Sequence, residues 1–205
     1  HEVYEKFIED VRAHDPDYLI IVMDCKDRED RLASRIGREE AGLNRSNHLD
    51  MYRDLVAVFR HELRDIPQVL WIEDSLGISS VIAMSWENIY MKPGARLGGI
   101  SGAAATFDFV QDPEVHAKFR EGYMGWLKGF AEYGGHSHDI INAMVLPEYK
   151  LSASWKGRDV TWRLDTKGEY IVDDNDKATT EFQARTAENF CISKGTVETM
   201  DDLAL

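Results

Sequence analysis

Two continuous apolar runs, YLIIVMDC at 18–25 and QVLWIED at 68–74, constrain this chain more than any other feature. Short apolar runs bounded by Asp or Pro are expected of strands covered on both faces, as strands are in parallel sheets. Between them lies LDMYRDLVAVFRHELRDI, which places Met51, Leu55, Val58, Phe59 and Leu63 on one side of a helix ended by Pro67. A helix over about 79–87 then leads into NIYMKP, a third strand. Strands alternating with helices predict right-handed βαβ units and a mostly parallel sheet. Upstream, Val3, Phe7, Ile8 and Val11 recur at helical spacing, and that first helix stops near HDPD.

Downstream, Pro113 opens a long helix reaching about Tyr133, with Val115, Phe119, Tyr123, Leu127 and Phe130 expected on its core face. Proline in the first turn and the GG at 134–135 are its start and stop signals. SHDIINAMVL reads as a short helix capped by Ser137. Over 150–175 the pattern turns to alternation (VTWRL, EYIVDD), which predicts two or three short antiparallel strands. RTAENFCISKGTVETMDDL gives a helix, a glycine stop and a final strand or turn. Without repeats or low-complexity linkers, residues 1–205 read as one α/β domain. Its charged stretch 26–48 is a surface insertion and 150–180 a small β appendage.

Charge narrows the partners. The net charge of −13 argues against nucleic acid, since phosphate binding needs a basic face, and against an anionic membrane surface. The two cysteines, Cys25 at a strand end and Cys191 in a helix, make no disulfide framework and read as structural thiols. No run reaches the length of a membrane span, and no signal-peptide pattern is present. The chain starts at His1 inside a helical pattern, which suggests a fragment, a processed form or a trimmed chain.

DPDYLIIVMD, NIYMKPGARLGG and RTAENFCISKGTVETMDDL, in that order, resemble segments of the ClpP/crotonase superfamily. The nearest branch is that of NfeD-type membrane-bound serine proteases and signal peptide peptidase A. The resemblance covers most of 2–147 and 183–203 and is weak over 26–48 and 150–180. It implies a β-α superhelical core, often oligomeric, whose first strand would lie before residue 1. It also implies peptide hydrolysis by a Ser-Lys dyad without metal or cofactor. The compartment stays open, with a membrane-associated or periplasmic setting implied for the full-length protein.

Carried onto this chain from the Pro93–Gly94 turn, the nucleophile position of that branch falls on Gly77 and its general base on Lys118. Glycine has no nucleophile. Ser75, Ser79 and Ser80 lie nearby, and Ser79 is the alternative nucleophile because a helix start offers free N–H groups and a positive end. The ordinary role of serine at a helix start is a cap, and each residue turns the side chain by about 100°. Where the branch has a Gly-Gly turn giving oxyanion donors, this chain reads CKDRED, with carboxylates that oppose negative charge. Lys118 reads either as a solvated helix lysine or as the relic of the base.

Other chemistry is thinner. A Ser-His-Asp relay lacks its histidine, since none stands between His61 and His116. Glu73 and Asp74, the convenient pair for acyl-CoA hydration, read as turn residues. His136 and His138 beside Asp139 lack a third metal ligand and read as a loop entering a helix. The five tryptophans are too dispersed for a platform, and GARLGGISGAAA lacks the Lys-Ser ending of a phosphate loop. Gly98, Gly99 and Ile100 are expected at a substrate-strand edge. The expectation is a protease-fold domain, catalytically degenerate, that binds peptides or partner subunits and assembles as a homo-oligomer. The alternative is an active Ser-Lys peptidase using a displaced serine.

Overall fold

The computed structural model describes residues 2–25, 51–100 and 110–203. The chain divides into two compact units, His1–Ile21 with Asp27–Val69, and Val22–Lys26 with Leu70–Leu205. The expected insertion at 26–48, with the CKDRED turn beyond Cys25, lies outside the described residues.

In the smaller unit, α1 (Glu2–His14) ends on Arg12 and His14, where cations suit the negative end of a helix. Arg12 donates to both carboxylate oxygens of Asp65 and to the Glu62 carbonyl, and this guanidinium holds the Asp65 carboxyl at about 2. Helix α2, described over 51–57, widens into a π-turn at Val58–Glu62, closed by the Leu63 amide on the Val58 carbonyl at 3.0 Å. The Gln68 amide caps the freed carbonyls of Phe59 and Leu63 at 2.8 and 2.9 Å. Val58, Phe59 and Leu63 are buried as expected, and Phe59 takes the edge of Phe7 at 5.8 Å. Met51, expected on the same side, is exposed.

The larger unit is built on β2 (Gln68–Leu76), whose residues 70–72 pair in parallel with β3 (Ile89–Met91) and whose residues 75–76 pair in parallel with β4 (Arg96–Gly98). Beyond β3 lies β9 (Gly195–Thr196), also parallel; beyond β4 lies β8 (Glu181–Gln183), antiparallel. The order is β8-β4-β2-β3-β9, with β1 (Leu19–Asp24) paired to β2. A separate antiparallel sheet, β6-β5-β7, comprises β5 (Leu151–Lys156), β6 (Asp159–Arg163) and β7 (Tyr170–Asp173). The chain is therefore a mixed α/β protein with a mostly parallel sheet and a small antiparallel one.

β1 departs from its expected cover. Val22 is 45% exposed and Asp24 is exposed, so the second half of this strand alternates and keeps one open face. Cys191 also departs: it is exposed, in a left-handed conformation (φ 58°), past the helix that was expected to hold it.

Around the sheet, α3 (Ile78–Ala83), α4 (Pro113–Gly134), α5 (His138–Val145), α6 (Ala184–Asn189) and α7 (Met200–Leu203) complete the described elements. Asp112 caps α4 by accepting from the amides of Glu114 and Val115, Pro113 fills its first position, and Gly135 (φ 73°) ends it. Its buried residues are Met124, Leu127, Phe130, Ala131 and Gly134, whereas Val115 and Phe119 are 41% and 56% exposed. The expected core face holds at Leu127 and Phe130 and fails at Val115 and Phe119, for a geometric reason. Each four-residue step advances about 40° around a helix, so Val115 ends about 120° from Leu127.

Candidate functional site

Strand β2 hands over to α3 through one residue. Gly77 has φ 82° and ψ −149°, a region that L side chains rarely occupy, and it precedes the helix without a side-chain cap. Its amide donates to the Gly98 carbonyl at 2.8 Å, and its own carbonyl accepts from the Ser80 amide at 3.0 Å. The end of β2 and the end of β4 are thereby tied together at the turn.

The three serines around it serve this joint. Ser80, fully buried, donates to the Ser75 carbonyl at 2.6 Å and accepts from the Gly98 amide at 2.8 Å. Ser75, also fully buried, lies 2.9 Å from the Ser79 hydroxyl and 3.2 Å from the Met23 sulfur. Ser79 is half-buried and donates to the Leu76 carbonyl at 3.2 Å. Each hydroxyl has a partner within the turn, and none of these partners is a base able to take a proton in the way a nucleophile requires.

Lys118 sits in the second turn of α4. Its ammonium pairs with Glu114 one turn earlier at 2.7 Å, and its side chain is 71% exposed. A solvated, ion-paired amine of this kind is the ordinary i,i+4 surface pair of a helix. The structure thus gives Gly77 a turn without a side chain and Lys118 a partner on its own helix.

The amides expected at a substrate edge are likewise engaged. Gly98 donates to Ser80, Gly99 to the Thr180 carbonyl at 2.9 Å and Ile100 to the Met144 carbonyl at 3.0 Å. On its open side β4 carries β8, pairing Leu97 with Phe182 and Gly98 with Glu181. The approach is close enough to demand glycine. At Gly98 (φ 127°) a Cβ would stand 2.4 Å from the Thr180 carbonyl oxygen.

Glu73 and Asp74 divide between two cations. Asp74, 5% exposed, accepts from the Arg96 amide at 3.0 Å and from its guanidinium at 2.7 Å, a bond from β2 to β4. Glu73 lies 4.0 Å from Lys92, whose ammonium sits 5.7 Å over the Trp71 ring. Sequence reasoning missed Arg96 as the partner of Asp74, because it joins residues 22 apart and no local pattern marks it.

The histidines also have places. His136 donates its ring N–H to the Trp86 carbonyl (2.9 Å), and burial pushes its pKa below the ordinary 6.5, with that bond opposing. His138 lies 2.9 Å from Glu132, and Ser137 caps α5 through the Asp139 amide. Among the described residues no group of three or more His, Cys, Asp or Glu side chains could hold a metal ion. Trp71 and Trp86 are buried, whereas Trp155 is 37% exposed.

No family model matches the sequence, and no curated protein matches it. Solved structures do match. A serine mutant of the 1510-N membrane-bound stomatin-specific protease superposes with a TM-score of 0.56 at 12% identity, over 98% of this chain and 74% of that one. A lysine mutant of the same protease, in complex with a substrate peptide, gives 0.57 at 11% identity over 98% and 70%. The chain shares the fold of that protease. At this identity the likeness is one of fold.

Proposed function

We propose that this protein is a protease-fold domain that does not hydrolyse peptides and acts by binding, either of a peptide segment or of partner subunits. One observation carries the reading: the strand-to-helix turn that would present a nucleophile holds Gly77, in a backbone conformation suited to glycine. Around it the hydroxyls of Ser75, Ser79 and Ser80 are engaged within the turn, and Lys118 is ion-paired on the surface. Serine hydrolysis needs a nucleophile beside a base, with donors aimed at the developing oxyanion. Here the amides of Gly98, Gly99 and Ile100 are taken by the chain itself. Extended peptide pairing at that edge therefore requires displacement of β8, which favours partner subunits over peptides.

The test is a fluorophosphonate probe read by intact mass on the native chain, with Gly77→Ser alongside. The expected result is an unlabelled native chain. A label that maps to Ser79 overturns the proposal and makes the chain an active Ser-Lys peptidase. Labelling of Gly77→Ser alone supports a scaffold that has kept its oxyanion site while lacking the nucleophile.

A further inference from the structure

The small antiparallel sheet ends in an open strand. β7 pairs with β5, and among the described residues no other backbone is hydrogen-bonded to Tyr170–Asp173. An edge of this kind presents unpaired N–H and C=O groups, a template on which another extended segment can add. Its side chains suit that use. Tyr170 stands opposite Ala153 on the face of Trp162, and both rings reach Phe190, at 6.0 and 5.7 Å. Ile171 stands opposite Ser152 on the other face. Tyr170 is 45% and Ile171 57% exposed, so each face of the edge offers an apolar side chain.

Charge says what kind of segment fits. EYIVDDND, residues 169–176, carries four carboxylates and no lysine or arginine. Glu169 precedes the strand, Asp173 ends it, and Asp174 and Asp176 follow, with Glu169, Asp174 and Asp176 exposed. Among the described residues none of the four has a cation within ion-pair distance, whereas Asp165, beside β6, is held by Arg163 at 2.9 Å. Edges are ordinarily guarded by a charge or a proline within the strand, and Tyr170, Ile171 and Val172 supply neither. The carboxylates stand instead at the two ends, around an apolar centre.

We propose that the outer edge of β7 takes an extended segment of a partner protein, one with lysine or arginine at both ends of a short alternating apolar core. The core adds to the sheet by main-chain bonds, and its alternate side chains meet Tyr170 on one face and Ile171 on the other. One basic end meets Glu169 and the other meets Asp173, Asp174 and Asp176. A second copy of β7 is the wrong occupant, because it would bring its own carboxylates onto these, and like charges across a strand pair are destabilising. The proposal deepens the binding reading above but shares no residue with the Gly77 turn, so fluorophosphonate labelling can fail one without touching the other.

Fluorescence anisotropy tests it on the full chain, with a labelled peptide, Lys-Lys-Val-Thr-Val-Thr-Val-Lys-Lys. Amide hydrogen exchange locates the peptide, and circular dichroism confirms the fold of each variant. Saturable binding is expected, with new protection at residues 170–173. The same peptide with both threonines replaced by proline keeps its charge but cannot join a ladder, and is expected not to bind. Reversing the exposed carboxylates together, Glu169→Lys, Asp174→Lys and Asp176→Lys, is expected to weaken binding by about tenfold, as for a few solvent-exposed ion pairs. A native chain that leaves the first peptide free overturns the proposal. Equal binding of the proline peptide overturns it too, since attraction would then be by charge without a strand. Protection outside β7, or a charge-reversed variant that binds like the native chain, places the contact elsewhere and overturns it.

Discussion

At the Gly77 turn, the three serine hydroxyls and the amides of Gly77, Gly98 and Gly99 all find partners inside the chain. On the outer face of α4, Val115, Phe119 and Gly122 are exposed. Polar atoms at the turn are shared between β2, α3 and β4, so the turn acts as a joint. The helix, by contrast, exposes apolar side chains such as Val115 and Phe119. The difference teaches that groups engaged within the chain hold its structure, whereas apolar residues left at the surface bury little area and contribute little to it.

The sharpest way to break this comparison is to put the same methyl group in both kinds of place. Gly134→Ala would set its Cβ 2.2 Å from the Met84 carbonyl oxygen and 2.9 Å from that of Trp86. Two backbone oxygens cannot both withdraw cheaply, so a loss of about 3 kcal/mol is expected in denaturant unfolding. A loss well under 1 kcal/mol would mean that α4 sits less tightly on the end of α3 than described.

Next in size is the joint itself. Ser80→Ala removes the hydroxyl that joins the Ser75 carbonyl to the Gly98 amide and leaves that amide buried without its acceptor. The expected loss is about 2 kcal/mol. Ser79→Ala, at a half-buried hydroxyl, should lose less. If the two variants lose equally, the turn is not organised around Ser80.

A smaller effect comes from acid. Burial depresses the pKa of His136 in the folded protein, so the unfolded chain binds its proton more readily. The associated stability is present above the ordinary value of 6.5 and is lost as pH falls from there through the depressed value. Melting temperature should therefore drop on acidification, and His136→Gln should drop less over the same interval. Parallel curves for the two proteins would remove His136 from the account.

The smallest change has the opposite sign. Gly122→Ala adds a methyl group where nothing lies within 4 Å, and the monomer should gain about 1 kcal/mol from helix propensity. Unfolding measured at concentrations where the chain is monomeric checks this. No gain there would mean that Gly122 has a use within the protomer.

Features written in neighbouring residues were legible in the sequence. Asp112, Pro113 and Gly135 bound α4, Ser137 caps α5, and the alternation after residue 150 gives three antiparallel strands, because each signal acts within a few residues. Direction was harder to read. α4 carries two apolar stripes, and periodicity cannot say which one the rest of the chain covers, so Val115 and Phe119 were assigned to the buried side. The π-turn at Val58–Glu62 breaks the helical period on which such readings depend. At the candidate site, spacing located Gly77 and Lys118 along the chain but carried no information on the Glu114 pair, the Ser80–Gly98 bond or the Asp74–Arg96 bond. Two of those contacts span about twenty residues and exist only once β2 and β4 lie side by side.

The shape of the backbone at Gly77 also gives substitution there a direction. With φ at 82° and ψ at −149°, glycine rests without strain where any other residue carries on the order of 1–3 kcal/mol. A mutation towards glycine at such a turn is downhill in stability and needs no accompanying change. A mutation from glycine to serine there is uphill, and drift will reject it unless other substitutions first raise the stability of the whole protein. Substitution at position 77 therefore runs easily in one direction only, towards glycine.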